Sequence, residues 1–282
     1  MKKLKLISII LCVTMCLALL AGCASGTASS SQAPAQSSSQ SESQSESQSS
    51  SQSEANTGDD KDTIVVATNA AFPPYEFYEN EQAVGIDMDI MRAICDKLGY
   101  KMEVSDMEFG SIIIAVSSGK ADVGAAGITV TEDRKKSVDF TSGYTTAVQA
   151  VIVTEDTSIS SIDDLAGDNI KIGVQQDTTG DIYATDDYGE DHIVRFNKGA
   201  DAVQALITGK VDAVIIDNSP AETFVSQNEG LMLLPTAYAE EEYAFVIAKD
   251  NTEFYNKVNG ALEELIADGT VQKIIDTYIS AD

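Results

Sequence analysis

Residues 127–134 read Gly-Ile-Thr-Val-Thr-Glu-Asp-Arg and directly follow a strand-like apolar run. Such a strand end offers a free backbone N–H, the hydroxyl of Thr129 and the guanidinium of Arg134. Arginine can hold a small carboxylate through two parallel, charge-assisted hydrogen bonds. The segment therefore predicts a carboxylate-binding loop. The alternative is a surface loop in which Arg134 pairs with Glu132 or Asp139.

Other kinds of chemistry find little support in the sequence. The single histidine, His192, follows the acidic stretch 186–191, where a surface position is expected. No Cys/His cluster has metal-site spacing and no phosphate-binding glycine loop follows a strand. The acidic stretch could attract Ca²⁺, but runs of like charge are usually solvated. We therefore expect no catalytic residue, no cofactor and no metal.

The elements that must position Arg134 alternate between short apolar strands and amphipathic helices. Residues 63–67 and 102–104 have strand patterns, while residues 88–98 and 111–118 have helical ones. This alternation predicts an α/β fold with mostly parallel sheets covered on both faces. In such sheets, ligands bind beyond the carboxyl ends of the strands.

A weak internal repeat indicates two similar halves. Residues 115–123 read AVSSGKADV and residues 205–213 read ALITGKVDA. Each copy has the pattern of a helix end, a Gly-Lys turn and an aspartate that enters a strand. The first strand leads to Gly127 and Thr129, and the second leads to Asp217. Duplication of one α/β unit is the favoured interpretation, and chance similarity is the alternative.

The chain is expected to cross between these halves twice, in the strand 147–153 and near residues 237–242. The last two helical patterns, 252–267 and 271–279, would then pack on the first half. The predicted domains are lobe 1, residues 62–146 plus 241–282, and lobe 2, residues 147–240.

The first residues of the chain have the pattern of an export signal and are not expected to be part of the fold. A basic start precedes the apolar run 6–20, which is shorter than the roughly 20 residues of a membrane span and typical of a signal peptide. Residues 1–22 are thus a predicted lipoprotein signal peptide, because Leu-Ala-Gly-Cys at its end resembles a bacterial lipobox. Cys23 would carry the lipid. The alternative is a small-residue cleavage site with a chance cysteine.

Residues 23–61 are rich in Ser and Gln and carry too little apolar surface to fold, so they predict a disordered tether. Beyond Cys23, Cys95 is the remaining cysteine, on the apolar side of a helical pattern, which predicts a buried, inert thiol and no disulfide. The formal charge of −27 argues against nucleic acid as a partner. It fits an extracellular domain that meets the membrane through a lipid anchor only.

Several segments together resemble the bacterial extracellular solute-binding proteins of family 3, which deliver polar amino acids to ABC importers. The resemblance covers about residues 62–281. The segments are TNAAFPPYEF (68–77), GIDMD (85–89), GKAD (119–122), TEDR (131–134), VDF (138–140), GVQQDTT (173–179) and DGT (268–270). It implies a two-lobed, periplasmic-binding-protein-like type II fold, with two crossover hinge strands and a ligand cleft between the lobes.

The same resemblance implies roles for individual residues. Arg134 would grip the α-carboxylate of an amino acid, together with the N–H groups of Thr129 and Thr179. Asp217 would take the α-ammonium, helped by the Gly127 carbonyl and the Thr129 hydroxyl. The remaining implied contacts are aromatic or neutral polar: Phe72 and Phe109 on either side of the ligand side chain, and Asn69.

The chain also departs from the family pattern. Ala71 and Gly110 stand where relatives frequently have acids, so a basic ligand would lose two candidate partners. Asp177 stands where relatives usually have glycine, and Gly180 where many have glutamine. An aspartate adopts a left-handed backbone only at some cost, so the shape of that loop is left open.

The resulting expectation is a monomeric lipoprotein on the outer face of the cell membrane. It would capture an amino acid and pass it to an ABC permease and its ATPase. Polar ligands are expected, with basic and cystine-like ones among the candidates. Two alternatives remain: a dehydratase of cyclic precursors of aromatic amino acids, with Glu76 or Glu222 as the acid, and a ligand-sensing module for a membrane receptor.

Overall fold

The structure, a computed structural model, describes residues 62–235 and 238–279. The predicted signal peptide, Cys23 and the tether lie outside the described residues, as does Ala237 at the start of the predicted return crossover. Within the described part of the chain, no helix is long and apolar enough to cross a membrane.

The described residues form short strands that alternate with helices, as the apolar periodicity predicts. The strands are β1 (Thr63–Thr68), β2 (Ala71–Phe72), β3 (Glu76–Glu79), β4 (Gln82–Val84), β5 (Lys101–Asp106), β6 (Val123–Gly124), β7 (Val138–Phe140), β8 (Thr145–Thr154), β9 (Ile172–Gln175), β10 (Ile193–Phe196), β11 (Ala213–Asp217), β12 (Leu231–Leu233), β13 (Glu240–Tyr243) and β14 (Val246–Ala248). The helices are α1 (Ile86–Leu98), α2 (Phe109–Ser117), α3 (Thr179–Tyr188), α4 (Gly199–Ile207), α5 (Asn218–Gln227), α6 (Thr252–Ala267) and α7 (Thr270–Tyr278).

Two larger sheets organise the chain. The first has the order β5-β1-β6-β14-β7 and the second has the order β10-β9-β11-β8-β12. The strands β5, β1 and β6 run parallel, as do β10, β9 and β11, whereas β14 and β8 join their sheets antiparallel. The sheets are therefore mixed, and the expectation of mostly parallel sheets is only partly right. The reason is that β8 and β14 enter their sheets from the connections between the halves.

Two connecting segments lie side by side between these sheets. The first part of β8 pairs antiparallel with β13, from Val148 opposite Glu240 to Thr145 opposite Tyr243. We call lobe 1 the first sheet with β2–β4, α1, α2, α6 and α7, and lobe 2 the second sheet with α3–α5. This is the two-lobed architecture with two crossover strands. The division at residues 146/147 and 240/241 stays a prediction.

Both copies of the repeated Gly-Lys pattern adopt the same local structure. The glycine that follows each helix has a positive φ, 73° in one copy and 68° in the other. The aspartate that enters each strand then accepts a backbone hydrogen bond at 2.7 Å, Asp122 from the Val65 N–H in β1 and Asp212 from the Lys171 N–H just before β9. The two copies therefore place the strands β6 and β11 in equivalent positions.

The helix α1 shows how the apolar stripe becomes core. Ile90, Met91 and Ile94 are fully buried on one face of this helix, which packs against α6 and α7. Fully burying such a side chain contributes about 1.5–3 kcal/mol. Cys95 on the same face is free and 2% exposed, and burial raises the pKa of its thiol to about 11. A thiol with so high a pKa is a poor nucleophile at neutral pH.

Candidate ligand-binding site

Every predicted ligand-binding residue lines one cavity between the two lobes. The lining residues are Asn69, Phe72, Glu76, Phe109, Ala126, Gly127, Thr129, Arg134, Gln175, Thr178, Thr179 and Asp217. Four of these, Glu76, Ala126, Gln175 and Thr178, were not among the predicted ligand contacts.

The loop after β6 turns Arg134 into the cavity. Gly127 has a φ of 52°, and its N–H donates to the Asp87 carboxylate at 2.9 Å. A Cβ at this glycine would lie 3.2 Å from the Phe72 ring, a tight contact, and the positive φ would strain any other residue. The Arg134 Nη1 donates to the Thr129 carbonyl at 2.9 Å, which aims the guanidinium along the loop.

The surface-loop alternative for Arg134 is not found. Glu132 pairs with Lys135 at 2.8 Å, and Asp139 lies 3.9 Å from Lys249. The Arg134 guanidinium instead lies over the Phe109 ring, with 5.3 Å from its Cζ to the ring centroid. Burial lowers the pKa of Arg134, and the nearby acid charges oppose that shift. The guanidinium is therefore a partly desolvated cation, available to an anion in the cavity.

Asp217 faces the cavity from lobe 2. It is the last residue of β11, rather than the first residue beyond it, and it is 6% exposed. One carboxylate oxygen accepts a hydrogen bond from the Tyr243 hydroxyl. Burial raises the pKa of Asp217 to about 7, and the charge of Glu241 adds to the rise. A cationic group at this position would relieve both effects.

Glu241 supports the site from the hinge strand β13, and the sequence analysis missed it. Its Oε2 accepts hydrogen bonds from the Thr129 hydroxyl at 3.2 Å and from the Gln149 amide at 2.9 Å. Its Oε1 has no hydrogen-bond partner in the described chain. The sequence signal was the strand alternation, which exposes Glu240 and Glu242 and buries the residue between them.

Glu76, from β3, also lines the cavity and is buried, with 1% of its surface exposed. Its Oε2 has no hydrogen-bond partner among the described residues. Burial raises the pKa of Glu76 well above its usual value, and the charges of Asp87 and Asp217 raise it further. Glu222, the other acid considered for the dehydratase alternative, is exposed on α5 and does not line the cavity.

The start of α3 brings a helix N-terminus to the cavity, as predicted. Thr178 is the N-cap, and its hydroxyl accepts from the Asp181 N–H at 3.3 Å. Thr179 is the first helical residue and is 3% exposed. The first N–H groups of a helix have no partner within it and favour an anion. The structure therefore places such a group beside the cavity, opposite Arg134.

Polar contacts join the lobes across the cavity. The Gln175 amide donates to the Asn69 side chain at 3.0 Å, and the Thr129 and Thr179 hydroxyls lie 3.3 Å apart. The Asn69 amide in turn donates to the Met107 carbonyl at 2.7 Å. These contacts describe a closed arrangement in which lobe 1 and lobe 2 both contribute to the site.

No cluster of three or more His, Cys, Asp or Glu side chains suited to a metal ion occurs in residues 62–235 and 238–279. His192 does not line the cavity, and its Nδ1 lies 2.9 Å from the Ile170 carbonyl.

Two lobes that close on a cavity with a cation on one side and an acid on the other define a class of hinged solute-binding proteins. Residues 64–281 match the family described as bacterial extracellular solute-binding proteins, family 3. The chain belongs to this family.

The chain is also similar in sequence and structure to individual amino-acid-binding proteins. The arginine-binding extracellular protein ArtP of Bacillus subtilis (strain 168) is 32% identical over 81% of this chain and 91% of its own length. A solved ancestral arginine-binding protein bound to glutamine is 39% identical, with a TM-score of 0.74 over 78% of this chain and 99% of that one. The ancestral amino acid-binding protein AncCDT-1, a precursor of cyclohexadienyl dehydratase, is 31% identical, with a TM-score of 0.72 over 77% and 95%.

Proposed function

We propose that this protein captures a free amino acid outside the cell and presents it to the permease of an ABC importer. The observation that carries the proposal is the pairing of Arg134 on lobe 1 with Asp217 on lobe 2 across one closed cavity. A zwitterion needs one cationic and one anionic anchor a short distance apart. Closure around the ligand brings the two anchors together, as in other hinge-closing binding proteins.

The α-carboxylate of the ligand would bind at Arg134, with the N–H groups of Thr129 and Thr179 as further donors. The guanidinium has donors beyond those used by the Thr129 and Asp177 carbonyls, and a helix start lies opposite. The α-ammonium would bind at Asp217. Displacing water from a closed site strengthens both interactions, because they then act in a lower dielectric.

The side chain of the ligand would be basic. Two acids, Glu76 and Asp217, line the cavity, and Arg134 is the cation among the lining residues. If Asp217 binds the α-ammonium, the buried Oε2 of Glu76 still has no hydrogen-bond partner among the described residues. A guanidinium or ammonium there would satisfy it and compensate its burial. The absence of acids at Ala71 and Gly110, which argued against a basic ligand, is thus offset by Glu76 from a neighbouring strand.

The aromatic residues would hold the stem of the side chain. Phe72 is 7% exposed and stacks on Tyr75 with ring centroids 6.0 Å apart, so its orientation is set by packing. Phe109 begins α2 and faces Arg134. Both rings line the cavity that also holds Glu76. Apolar walls with a few polar groups at fixed positions are typical of small-molecule sites.

The lipid anchor belongs to the same proposal. A basic start, an apolar run and the sequence Leu-Ala-Gly-Cys support processing before Cys23 and attachment there of a lipid. Lipidation with two acyl chains gives stable membrane attachment, whereas one chain gives marginal attachment. The Ser/Gln-rich residues that follow would let the two-lobed domain reorient at the outer face of the membrane.

Binding of the twenty amino acids, cystine, ornithine and citrulline, followed as a rise in melting temperature, tests the function, because a ligand that binds only the native state stabilises it. We expect the largest rise with arginine or lysine. No rise with any of these compounds would refute amino-acid capture.

The Glu76→Gln variant tests the basic ligand, with Glu79→Gln as the matched control. Both glutamates belong to β3, but Glu79 is exposed. We expect Glu76→Gln to weaken arginine binding by about tenfold or more, since a hydrogen bond to a charged group contributes about 1.5–3 kcal/mol. Citrulline, the neutral isostere of arginine, would lose little. Equal losses for both ligands would contradict a charge interaction at Glu76.

A further inference from the structure

Two residues that depart from the family pattern face each other across the mouth of the cleft. A Cβ at Gly110, in lobe 1, would lie 2.2 Å from Oδ2 of Asp177 and 2.9 Å from its Cγ. Asp177 belongs to the loop between β9 and α3, in lobe 2. The carboxylate of one lobe therefore fills the space that a side chain at position 110 of the other lobe would occupy.

This carboxylate lies against the start of α2, whose first turn contains no acidic residue. Glu108 is the N-cap of α2, but its side chain makes no capping hydrogen bond. Gly110 is the second residue of this helix. A negative charge near a helix N-terminus is favourable because of the partial positive charge of the free N–H groups. The first residue of α2 is Phe109, the aromatic wall of the cavity.

The backbone of Asp177 makes a second contact with lobe 1. Its carbonyl accepts a hydrogen bond from the Arg134 Nη2 at 3.2 Å. Its own N–H donates to the Asp181 carboxylate at 3.1 Å, and the Gln176 amide donates to its Oδ2 at 3.3 Å. Asp177 has a φ of 65°, a left-handed conformation that aspartate adopts more readily than most residues. The loop is therefore held in one shape from within lobe 2.

We propose that Asp177 is a positioning residue that completes the amino-acid site only when the lobes close. Its carbonyl holds the guanidinium of Arg134, and its carboxylate holds the start of α2, which carries Phe109. Both of these ligand contacts belong to lobe 1, while Asp177 belongs to lobe 2. This role rests on the proposed function, because it concerns closure around the captured amino acid.

The geometry also makes the side chains at positions 110 and 177 depend on each other. A carboxylate on residue 110 and a carboxylate on residue 177 would compete for the same space and repel each other. Gly110 with Asp177 is one compatible combination, and an acid at position 110 with glycine at position 177 is the other.

A cycle of Gly110→Asp, Asp177→Gly and the double variant tests this proposal. Affinity would be measured by calorimetry with the amino acid that gives the largest thermal shift. We expect about tenfold weaker binding for Gly110→Asp, because two carboxylates would meet on closing. For Asp177→Gly we expect a loss of about two- to fivefold, the size of a charge effect at a solvated helix end. The double variant should return to within about threefold of the wild type.

Two further variants separate positioning from general effects of charge. Asp177→Asn keeps the shape and the tolerance for a left-handed backbone, and should mainly speed ligand dissociation, because the contact forms after the ligand has entered. Glu108→Gln removes another exposed charge from the same helix end, but on lobe 1, where it is present in the open and closed forms alike. It should leave association and dissociation rates unchanged. Melting curves without ligand would confirm that each variant is folded.

Several outcomes would overturn the proposal. One is a double variant whose loss of affinity equals the sum of the losses, in free energy, of the two single variants. Another is an Asp177→Asn variant from which the ligand dissociates at the wild-type rate. A third is a Glu108→Gln variant that changes the dissociation rate as much as Asp177→Asn does. A wild-type protein that binds no amino acid would instead refute the proposed function, and with it any role of Asp177 in closure. The two failures are therefore distinguished by the wild-type titration.

Discussion

Arg134→Ala is the substitution that tests the carboxylate anchor most directly. The guanidinium donates to the Thr129 carbonyl and lies over the Phe109 ring, both within lobe 1, so it is oriented before the ligand arrives. Removing it leaves the ligand carboxylate buried with neutral donors. Losing one partner of a buried charge pair costs about 2–5 kcal/mol. We expect a loss of at least about 3 kcal/mol, which is a weakening of roughly a hundredfold or more.

Arg134→Lys refines this prediction. It keeps the charge, but loses the planar fork that can hold a carboxylate with two parallel hydrogen bonds. We expect an affinity between those of Arg134→Ala and the wild type. The matched control is Arg92→Ala, because Arg92 pairs with Asp89 outside the cavity. It should bind the amino acid as the wild type does.

Calorimetry with arginine and with agmatine, its decarboxylated analogue, would measure these effects. Agmatine lacks the group that Arg134 is proposed to hold, so its affinity, weak in the wild type, should not fall further in Arg134→Ala. The melting temperature without ligand provides the folding control. An arginine affinity within threefold of the wild type in Arg134→Ala would refute the assigned role. A parallel loss for agmatine would show that the loss is not specific to the carboxylate.

The remaining predictions concern Asp217 and Cys23. Burial raises the pKa of Asp217 to about 7 from an ordinary 3.8, so the folded protein is most stable while this carboxyl is protonated. That contribution to the free energy of unfolding is fully present below about pH 4 and is lost as the pH rises through 7. Without ligand, Asp217→Asn should therefore have a higher melting temperature than the wild type at pH 8 but not at pH 4. It should also lack the rise in ligand affinity that the wild type shows between pH 5.5 and 7.5. Parallel pH profiles of melting temperature and affinity in the two proteins would contradict this. Cys23→Ala should abolish lipid attachment. The variant should move from the detergent phase to the aqueous phase in phase partitioning, and mass spectrometry should show the loss of the acyl mass. A wild-type protein without lipid would disprove the anchor.

Local features of the fold could be predicted because neighbouring residues determine them. The apolar stripe on α1 predicted its buried face, and the two Gly-Lys turns were recognised because glycine readily adopts the positive φ that follows each helix. Thr178 and Thr179 predicted the start of α3 through capping chemistry. The direction of β8 and β14 was harder to predict, because it depends on where the connecting segments enter the sheets.

The sequence by itself determined the family, and the resemblance then predicted the two-lobed class and a set of side chains suited to a zwitterion. It left open which distant residues meet. Only the tertiary structure decided that Glu76 is buried without a partner, that Glu241 supports Thr129 from the hinge, and that Asp177 fills the space beside Gly110. The physical reason is that burial and the approach of two lobes arise from packing between segments far apart in the chain. A carboxylate in a local sequence pattern looks the same whether water or a closed cavity surrounds it.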